Sequence, residues 1–235
     1  MKNLILYTCL VFSYFFYAQT NNIYEVDYVL QLDHEVLNKS LKTMKNQKVK
    51  HFIAKHADTF EEVQAKLIFN AKAAKYAVRK QLQNDFNQKS NFFEKHAGGK
   101  STYYYDNEKK IAYYTSTLIN KTNVVYEREW KILKESEEIL GFRCYKAELI
   151  LDQEGKMFVW FTNEIPYPYG PLRFNNLPGL ILKAEVKNGL ITYLATNIKT
   201  KRKNKPIIEE TDHRFMSEEE YMKELKKNNP LFEGF

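Results

Sequence analysis

The chain has 235 residues, of which 44% are apolar, 28% charged and 15% aromatic, and it contains 8 Gly, 6 Pro and 2 Cys. This composition excludes a disordered chain, a collagen-like repeat and a small domain held together by disulfides. The net charge of +7 fits a nucleic-acid or anionic-lipid partner, but it equally suits an ordinary soluble surface. The many Tyr and Phe residues favour β structure.

The first 18 residues have the pattern of a secretory signal peptide. Lys2 precedes an apolar run over residues 4–17, Ala18 closes that run, and polar residues follow. A run of about 14 residues is too short to cross a bilayer as a helix. We therefore predict that residues 1–18 are a cleaved signal peptide and that residues 19–235 form one mature domain without a transmembrane helix. An uncleaved anchor is the alternative.

This leader predicts an exported protein that is periplasmic, associated with the outer membrane or secreted. Cys9 raises the alternative of lipidation, but it lies inside the apolar run and not at its end. Loss of the leader leaves Cys144 as the only cysteine, so the mature domain can form no internal disulfide. The core is therefore expected to close by packing alone.

The first half of the mature chain is predicted to contain a strand, helices and one ambiguous segment. In residues 23–32, apolar and aromatic residues alternate with charged ones, which predicts a strand. Residues 33–60 are rich in lysine and lack Gly and Pro, so one or two helices are expected. Residues 63–82 fit either a helix, because of their alanines, or two strands. Residues 84–99 are expected to form a loop or a short helix.

From residue 101 the alternation has a period near two, which predicts a β-rich second half. The predicted strands span residues 103–105, 111–118, 124–132, 142–151, 156–162, 180–186 and 190–198. Turn residues predict three hairpins, one of them centred on Asn188 and Gly189. Ser217 and Glu220 fit a capping box, so a short C-terminal helix is expected.

These elements predict an α+β fold that is mostly β. The expected core is a strongly curved antiparallel sheet, with a few helices from residues 34–60 and from the C-terminal tail covering one side. A two-sheet β-sandwich is the alternative arrangement. The sequence contains no internal repeat, so we expect one domain around one large β structure.

The sequence contains no recognisable metal, nucleotide or catalytic motif. There is no Cys-x-x-Cys, His-Glu-x-x-His, Gly-x-Ser-x-Gly, P-loop or dinucleotide fingerprint, and we expect no cofactor and no metal. Cys144 lies in the middle of a predicted strand and is expected to be structural and buried, on the face that it shares with Phe142 and Ile150. The basic run at residues 199–205 lacks interleaved aromatic residues, so no nucleic-acid partner is expected. The histidines are His34, His51, His56, His96 and His213.

A series of spaced motif positions runs through residues 130–186. The positions are Trp130, Gly141, Cys144, Trp160, Pro166, Gly170, Pro171, Leu177, Pro178, Gly179, Leu180 and Ile181. This series resembles the GLPGLI family, a group of exported proteins of Gram-negative bacteria, although Asn176 stands where the family name begins with Gly. The resemblance implies an envelope location, with no established activity or cofactor.

The motif positions are expected to be structural. Pro178 at the second position and Gly179 at the third fit a type II turn, which requires a positive φ at the glycine. Pro166, Gly170 and Pro171 stiffen the preceding loop, whose aromatic side chains fit either a plug over the core or the rim of a ligand site. The plug is the favoured interpretation.

The favoured function is a non-catalytic, exported envelope protein. It is expected to bind an apolar or peptide ligand, or to assist an outer-membrane protein assembly, since no reactive group recurs in a known pattern while aromatic surface is abundant. The alternative is a hydrolase or metal-dependent enzyme whose residues are scattered in sequence, such as His34, His51, Asp152 and Glu164.

Overall fold

A computed structural model of the chain describes residues 22–56, 62–79, 94, 96–119, 121–150, 157–202 and 206–228. The predicted signal peptide, its cleavage site near Ala18 and the lipidation alternative at Cys9 lie outside the described residues. The predicted turn at residues 152–155 also lies outside them.

The described chain is mostly β, with one large mixed sheet of twelve strands. The strands are β1 (Asn22–Leu32), β2 (Val63–Phe69), β3 (Ala73–Val78), β4 (Thr102–Asp106), β5 (Ile111–Thr115), β6 (Thr122–Tyr126), β7 (Trp130–Ile139), β8 (Phe142–Leu149), β9 (Phe158–Thr162), β10 (Leu180–Val186), β11 (Ile191–Arg202) and β12 (Arg214–Ser217). In the sheet they follow the order β12-β6-β5-β4-β3-β2-β1-β11-β10-β9-β8-β7. Among the described strands, only β12 and β6 pair in parallel fashion. The prediction of a β-rich protein is confirmed.

Three helices are described, namely α1 (His34–Thr43), α2 (Gln47–His56) and α3 (Glu218–Asn228). α1 begins after Asp33, whose Oδ1 accepts hydrogen bonds from two backbone N–H groups of the first turn, both at 2.9 Å. α3 begins at the predicted capping box, in which Ser217 N donates to Glu220 Oε2 at 2.9 Å and Glu220 N donates to Ser217 Oγ at 3.2 Å. The helices expected in these two regions are therefore confirmed.

The ambiguous segment at residues 63–82 forms two strands, β2 and β3. Alternate residues of β2 are buried from Val63 to Phe69, which is the period of a strand with one face on the core. Pairing with β1 on one side and β4 on the other overrides the helix propensity of the alanines. Asn70 forms the turn between the two strands, because its Oδ1 accepts from the N–H groups of Lys72 and Ala73.

The single strand predicted over residues 124–132 is wrong. β6 ends at Tyr126 and β7 begins at Trp130, and the two strands occupy the second and the last positions in the sheet. The three residues between them, Glu127, Arg128 and Glu129, therefore change the position of the chain in the sheet rather than continue a strand. The link contains none of the usual turn residues, so the sequence carries no turn signal at the break.

The hairpin predicted at Asn188 and Gly189 is confirmed, because β10 and β11 pair in antiparallel fashion. Lys187, Asn188 and Gly189 all have positive φ, at 52°, 59° and 84°. Gly189 N donates to the carbonyl oxygen of Val186 at 3.1 Å, which closes the turn.

The β9–β10 loop (residues 163–179) packs its aromatic side chains into the core. Tyr169 and Phe174 are buried. The Tyr169 ring lies 5.4 Å from that of Phe69 on β2, and the Phe174 ring lies 6.1 Å from that of Trp130 on β7. One loop thus contacts strands from distant positions of the sheet.

Candidate functional site

A groove of about 200 Å³ lies on one face of strands β3 to β6, beside the segment that leads into β12. Strand pairing aligns its floor, because Lys75 of β3 is opposite Tyr104 of β4, which is opposite Tyr113 of β5. Residues opposite each other in paired strands project from the same face of the sheet. The groove is lined by Lys75, Lys100, Thr102, Tyr104, Tyr113, Thr115, Thr117, Asn123, Glu209, Thr211 and His213.

Two stacked tyrosines form the floor of this groove. The ring centroids of Tyr104 and Tyr113 are 5.2 Å apart, and the rings are inclined by 23°. Lys75 Nζ lies 5.6 Å from the centroid of Tyr104, within the range of a cation–π contact. Phe215 packs edge-on against Tyr113 at 5.1 Å and is half exposed. Burial raises the pKa of Tyr113 to about 12, so its hydroxyl keeps its proton at neutral pH.

A polar wall stands beside the tyrosine pair. Asn123 of β6 is only 2% exposed, and its Oδ1 accepts a hydrogen bond from Thr115 Oγ1 at 3.1 Å. His213 Nδ1 lies 3.4 Å from the same oxygen. Since an amide oxygen only accepts, a hydrogen bond here requires the proton to be on Nδ1. Backbone pairing places His213, because the next residue, Arg214, donates its N–H to the carbonyl oxygen of Lys121 at 2.9 Å.

The groove combines aromatic faces with convergent polar groups. Tyrosine rings offer an apolar surface on which a flat or ring-shaped ligand can stack. Hydroxyl, amide and imidazole groups beside them fix the orientation of such a ligand by hydrogen bonds. The arrangement therefore suits a small ligand that has an apolar face and a polar rim.

A second cavity of only about 10 Å³ lies in the core beneath the β9–β10 loop. Tyr76 and Tyr169 line it, and neither hydroxyl has a hydrogen-bond partner among the described residues. By contrast, the Tyr28 hydroxyl, which is also buried, donates to the carbonyl oxygen of Ile181 at 2.5 Å. This cavity is about the size of one water molecule, so it offers no room for a ligand.

Sequence reasoning missed the groove. The motif positions identified in the sequence lie outside the groove, in β7 to β10 and the loop between β9 and β10. The available signal was the alternation in the run Tyr103, Tyr104 and Tyr105, which places the middle tyrosine on the face opposite to its two neighbours. His213 was among the histidines noted, but nothing local in the sequence connects it to β6.

Gly179 does not have the positive φ that a type II turn at this position requires, so that prediction is wrong. A Cβ atom there would lie 2.0 Å from the carbonyl oxygen of Thr162, which leaves room only for glycine. The left-handed conformation lies earlier, at Asn176, with φ of 72°. Leu177, Leu180 and Ile181 are buried, while Pro178 is exposed.

Gly170 is another position at which the chain approaches closely. A Cβ atom there would lie 2.7 Å from the carbonyl oxygen of Phe174 and 2.9 Å from Ile181 Cβ. Pro171 accepts a hydrogen bond from Phe174 N at 3.0 Å, and Pro166 is exposed at the start of the loop. These positions shape the β9–β10 loop where it packs under β10.

The two tryptophans of the motif series make polar contacts outside the groove. Trp130 Nε1 donates to the carbonyl oxygen of Asn175 at 2.6 Å, which ties β7 to the β9–β10 loop. Trp160 is buried between two ammonium groups, with Lys183 Nζ at 4.1 Å and Lys146 Nζ at 5.2 Å from its ring. Cation–π attraction stabilises that arrangement.

Cys144 is fully buried in β8, and its thiol donates to the carbonyl oxygen of Phe142 at 3.5 Å. Burial, with the nearby Glu137 carboxylate, raises the pKa of the thiol to about 12. Ile150, which was expected to share the buried face, is 57% exposed because it lies beyond the end of the strand. Gly141 forms the turn between β7 and β8, with φ of 80°.

Among the described residues, those named for a scattered active site do not assemble around a metal. His34 and His51 are exposed on α1 and α2, and the Glu164 carboxylate accepts from Arg143 N at 3.1 Å. Asp152 lies outside the described residues. In the part of the chain that the structure describes, no three His, Cys, Asp or Glu side chains are placed to hold a metal ion. None of the described helices is long and apolar enough to span a membrane.

The sequence matches the family described as "N-glycanase peptide, N-terminal domain" over residues 52–222, which is most of the chain. No protein with a curated description gives a significant match. The family match includes every residue that lines the groove.

Solved structures of PNGF-II are similar in fold. In space group P21, that protein aligns with a TM-score of 0.55 at 16% identity, over 88% of this chain and 34% of PNGF-II. In space group C2 the TM-score is 0.53 at 16% identity, over 88% and 33% of the two chains. This chain thus spans about a third of the length of PNGF-II. An uncharacterized conserved protein from Thermus thermophilus aligns at a TM-score of only 0.37, with 8% identity, over 84% of this chain and 91% of that protein.

The resemblance to the GLPGLI family is wrong, because the family that matches is a different one. Its motif positions are set by local geometry: Gly170 and Gly179 lie where the backbone approaches closely, and Gly141 lies in a tight turn. The spacing of these positions reflects a loop that packs against strands, and it led to the wrong family. The same match overturns the expectation of a non-catalytic envelope protein with an apolar or peptide ligand, and it supports the hydrolase alternative.

Proposed function

The chain belongs to the family of N-glycanase N-terminal domains, and on that basis we propose that it acts in a glycan-cleaving hydrolase and binds the glycan in its groove. The observation that carries this proposal is the stacked pair Tyr104 and Tyr113 beside a polar wall, inside the range of the family match. The likeness to PNGF-II supports the fold alone, at 16% identity.

A sugar ring matches the chemistry of this groove. One face of a pyranose consists of C–H groups and can stack on an aromatic ring, while its hydroxyls form a polar rim. Thr115 and Thr117 line the groove with hydroxyl groups that can face that rim, and Tyr113 keeps its phenolic proton for donation. A volume of about 200 Å³ is below the roughly 300–1,000 Å³ of pockets for drug-sized ligands, so it suits one or two sugar units.

Hydrolysis also requires groups that transfer protons to or from the reacting atoms. Glu209 and His213 supply a carboxylate and an imidazole to the lining of the groove. We therefore assign them as the first residues to test for proton transfer, with Glu209→Gln and His213→Gln as the changes that remove each titratable group.

We also propose that the sheet is strongly curved, because a short link joins two strands that are far apart in the strand order. β6 and β7 are ten positions apart in the strand order, which is about 48 Å in a flat sheet. The four steps of chain from Tyr126 to Trp130 reach at most about 14 Å. A radius of gyration near 17 Å by small-angle scattering is expected for the compact domain. A value above about 22 Å contradicts the curvature.

Export remains a proposal that rests on the leader pattern of residues 1–18. It would bring the domain to glycoproteins outside the cytoplasm. The intact mass of protein recovered from its own cells should lack about 18 residues. A full-length species in the cytosol contradicts export.

The direct test is binding of a fluorescently labelled N-glycan to the full chain, followed by fluorescence anisotropy. Tyr104→Ala should weaken binding at least about tenfold, because it removes the stacking surface. Tyr145→Ala is the matched control, since this tyrosine is also half-buried in a strand but lies on β8, far from β4 in the sheet. Equal losses for both variants, or no binding by the parent, would refute the proposed function.

Cleavage is measured separately, with a glycopeptide substrate and mass spectrometry of the released glycan. Glu209→Gln and His213→Gln should lower the rate of release while glycan affinity stays within about threefold, if their role is proton transfer. If both variants release glycan as fast as the parent, these residues do not take part in the reaction.

A further inference from the structure

The groove contains two lysines that no carboxylate neutralises in the described part of the chain. Lys75 and Lys100 both line it, and neither forms an ion pair with a described residue. Elsewhere on the sheet, by contrast, Lys66, Lys183 and Lys201 each lie within 3.2 Å of a glutamate oxygen. The single acidic residue in the lining, Glu209, is exposed.

Lys75 is positioned at the stacking surface itself. Its ammonium group lies 5.6 Å from the centroid of the Tyr104 ring, and the residue is half-buried. The cation–π contact holds the charge over the Tyr104 ring, and partial burial reduces the screening of that charge by water. A negative group on a sugar that contacts the tyrosine pair would therefore lie within reach of a preplaced cation.

We infer that the groove selects an anionic sugar, namely a terminal glycan unit that carries a carboxylate or phosphate group. This inference rests on the proposed function, since it specifies which glycan the same groove prefers. Contact with the tyrosine pair is available to every sugar, whereas the contact with Lys75 is available only to an acidic one. Lys100 adds positive potential at the same site.

The test compares one labelled N-glycan with and without its terminal sialic acid, bound to the full chain and followed by fluorescence anisotropy. The sialylated form should bind at least about fivefold more tightly in 20 mM salt, because a charge-assisted hydrogen bond is added. That advantage should shrink in 200 mM salt, since the shorter Debye length screens the pair. A glycan that ends in a phosphorylated mannose shows whether phosphate is accepted as well as carboxylate.

Lys75→Gln should abolish the preference for the acidic glycan while binding of the neutral glycan is retained, which also shows that the variant is folded. Lys109→Gln is the matched control, because Lys109 lies in the turn after β4 with its side chain 73% exposed and is absent from the groove lining. Equal affinity of the parent for both glycans overturns the inference and leaves the proposed function standing. Failure to bind either glycan overturns the proposed function itself.

Discussion

Glu25→Gln is expected to destabilise the protein by about 1–3 kcal/mol at pH 7. Glu25 lies in β1 and is 7% exposed, and its Oε2 accepts hydrogen bonds from Lys66 Nζ at 2.9 Å and Lys201 Nζ at 2.8 Å. These two bonds, with Lys201 the larger contributor, lower the pKa of the carboxyl from 4.5 to about 2. The glutamine keeps the shape of the side chain and removes its charge.

The magnitude follows from that shift in pKa. A difference of about 2.5 units between the unfolded and folded states sets a ceiling of about 3.4 kcal/mol. The Lys201 side chain is 53% exposed, so solvent screens its share and the measured loss should be smaller. Lys66 also lies 3.7 Å from Asp27, which partly compensates for the missing carboxylate in the variant.

The dependence on pH gives a second check. Because the pKa of Glu25 is lower in the folded protein, its contribution is present above pH 4.5 and is lost as the pH falls toward 2. The gap in unfolding free energy between the parent and Glu25→Gln should thus be constant above about pH 5.5 and fall by more than half by about pH 3.

Urea unfolding followed by circular dichroism at pH 7, 4 and 3 measures that gap. Glu108→Gln is the control, because Glu108 pairs with Lys72 at 2.9 Å on the surface, where both side chains are about two-thirds exposed, and its loss should have little effect. A gap that does not change with pH, or an equal loss in the control, would refute the assignment of stability to the buried carboxylate.

Three further comparisons test the packing of the core. Gly179→Ala should lower the free energy of unfolding, measured with urea, by at least about 3 kcal/mol because the added Cβ has no room. Gly141→Ala should lower it by about 1 kcal/mol, since the Cβ meets open space but φ is 80°. Similar losses for the two variants would contradict this. Cys144 should resist iodoacetamide in the native protein and react after unfolding, and rapid native labelling contradicts its burial. Tyr28→Phe should cost about 1 kcal/mol and Tyr76→Phe less, since only the first loses a hydrogen bond; the reverse order in thermal unfolding refutes this.

Local signals in the sequence predicted those elements that depend on neighbouring residues alone. The capping box at Ser217 and Glu220 located the start of α3, and the pair Asn188 and Gly189 located the β10–β11 hairpin. Residues 63–82 stayed ambiguous because their strands are decided by pairing with β1 and β4, which lie outside that window. The break after Tyr126 was invisible for the same reason.

The groove could not be predicted, because its residues come from four strands and three connecting segments. Tyr104 and Tyr113 stack only once the register between β4 and β5 is set, and that register is a property of the folded sheet. His213 reaches Asn123 through the parallel pairing of β12 with β6, a long-range contact without a sequence signature. The motif positions in β7 to β10 were easier to recognise in the sequence, and none of them lines the groove.

The most direct measurement is a titration of the isotope-labelled full chain with a soluble N-glycan, followed by amide chemical-shift changes in NMR spectra. The shifts should concentrate on Tyr104, Tyr113, Asn123 and His213 and their strand neighbours, and they should saturate with added glycan. Shifts that are absent, or that concentrate on β7 to β10 while these four residues stay unchanged, would contradict the assignment of the groove as the glycan site.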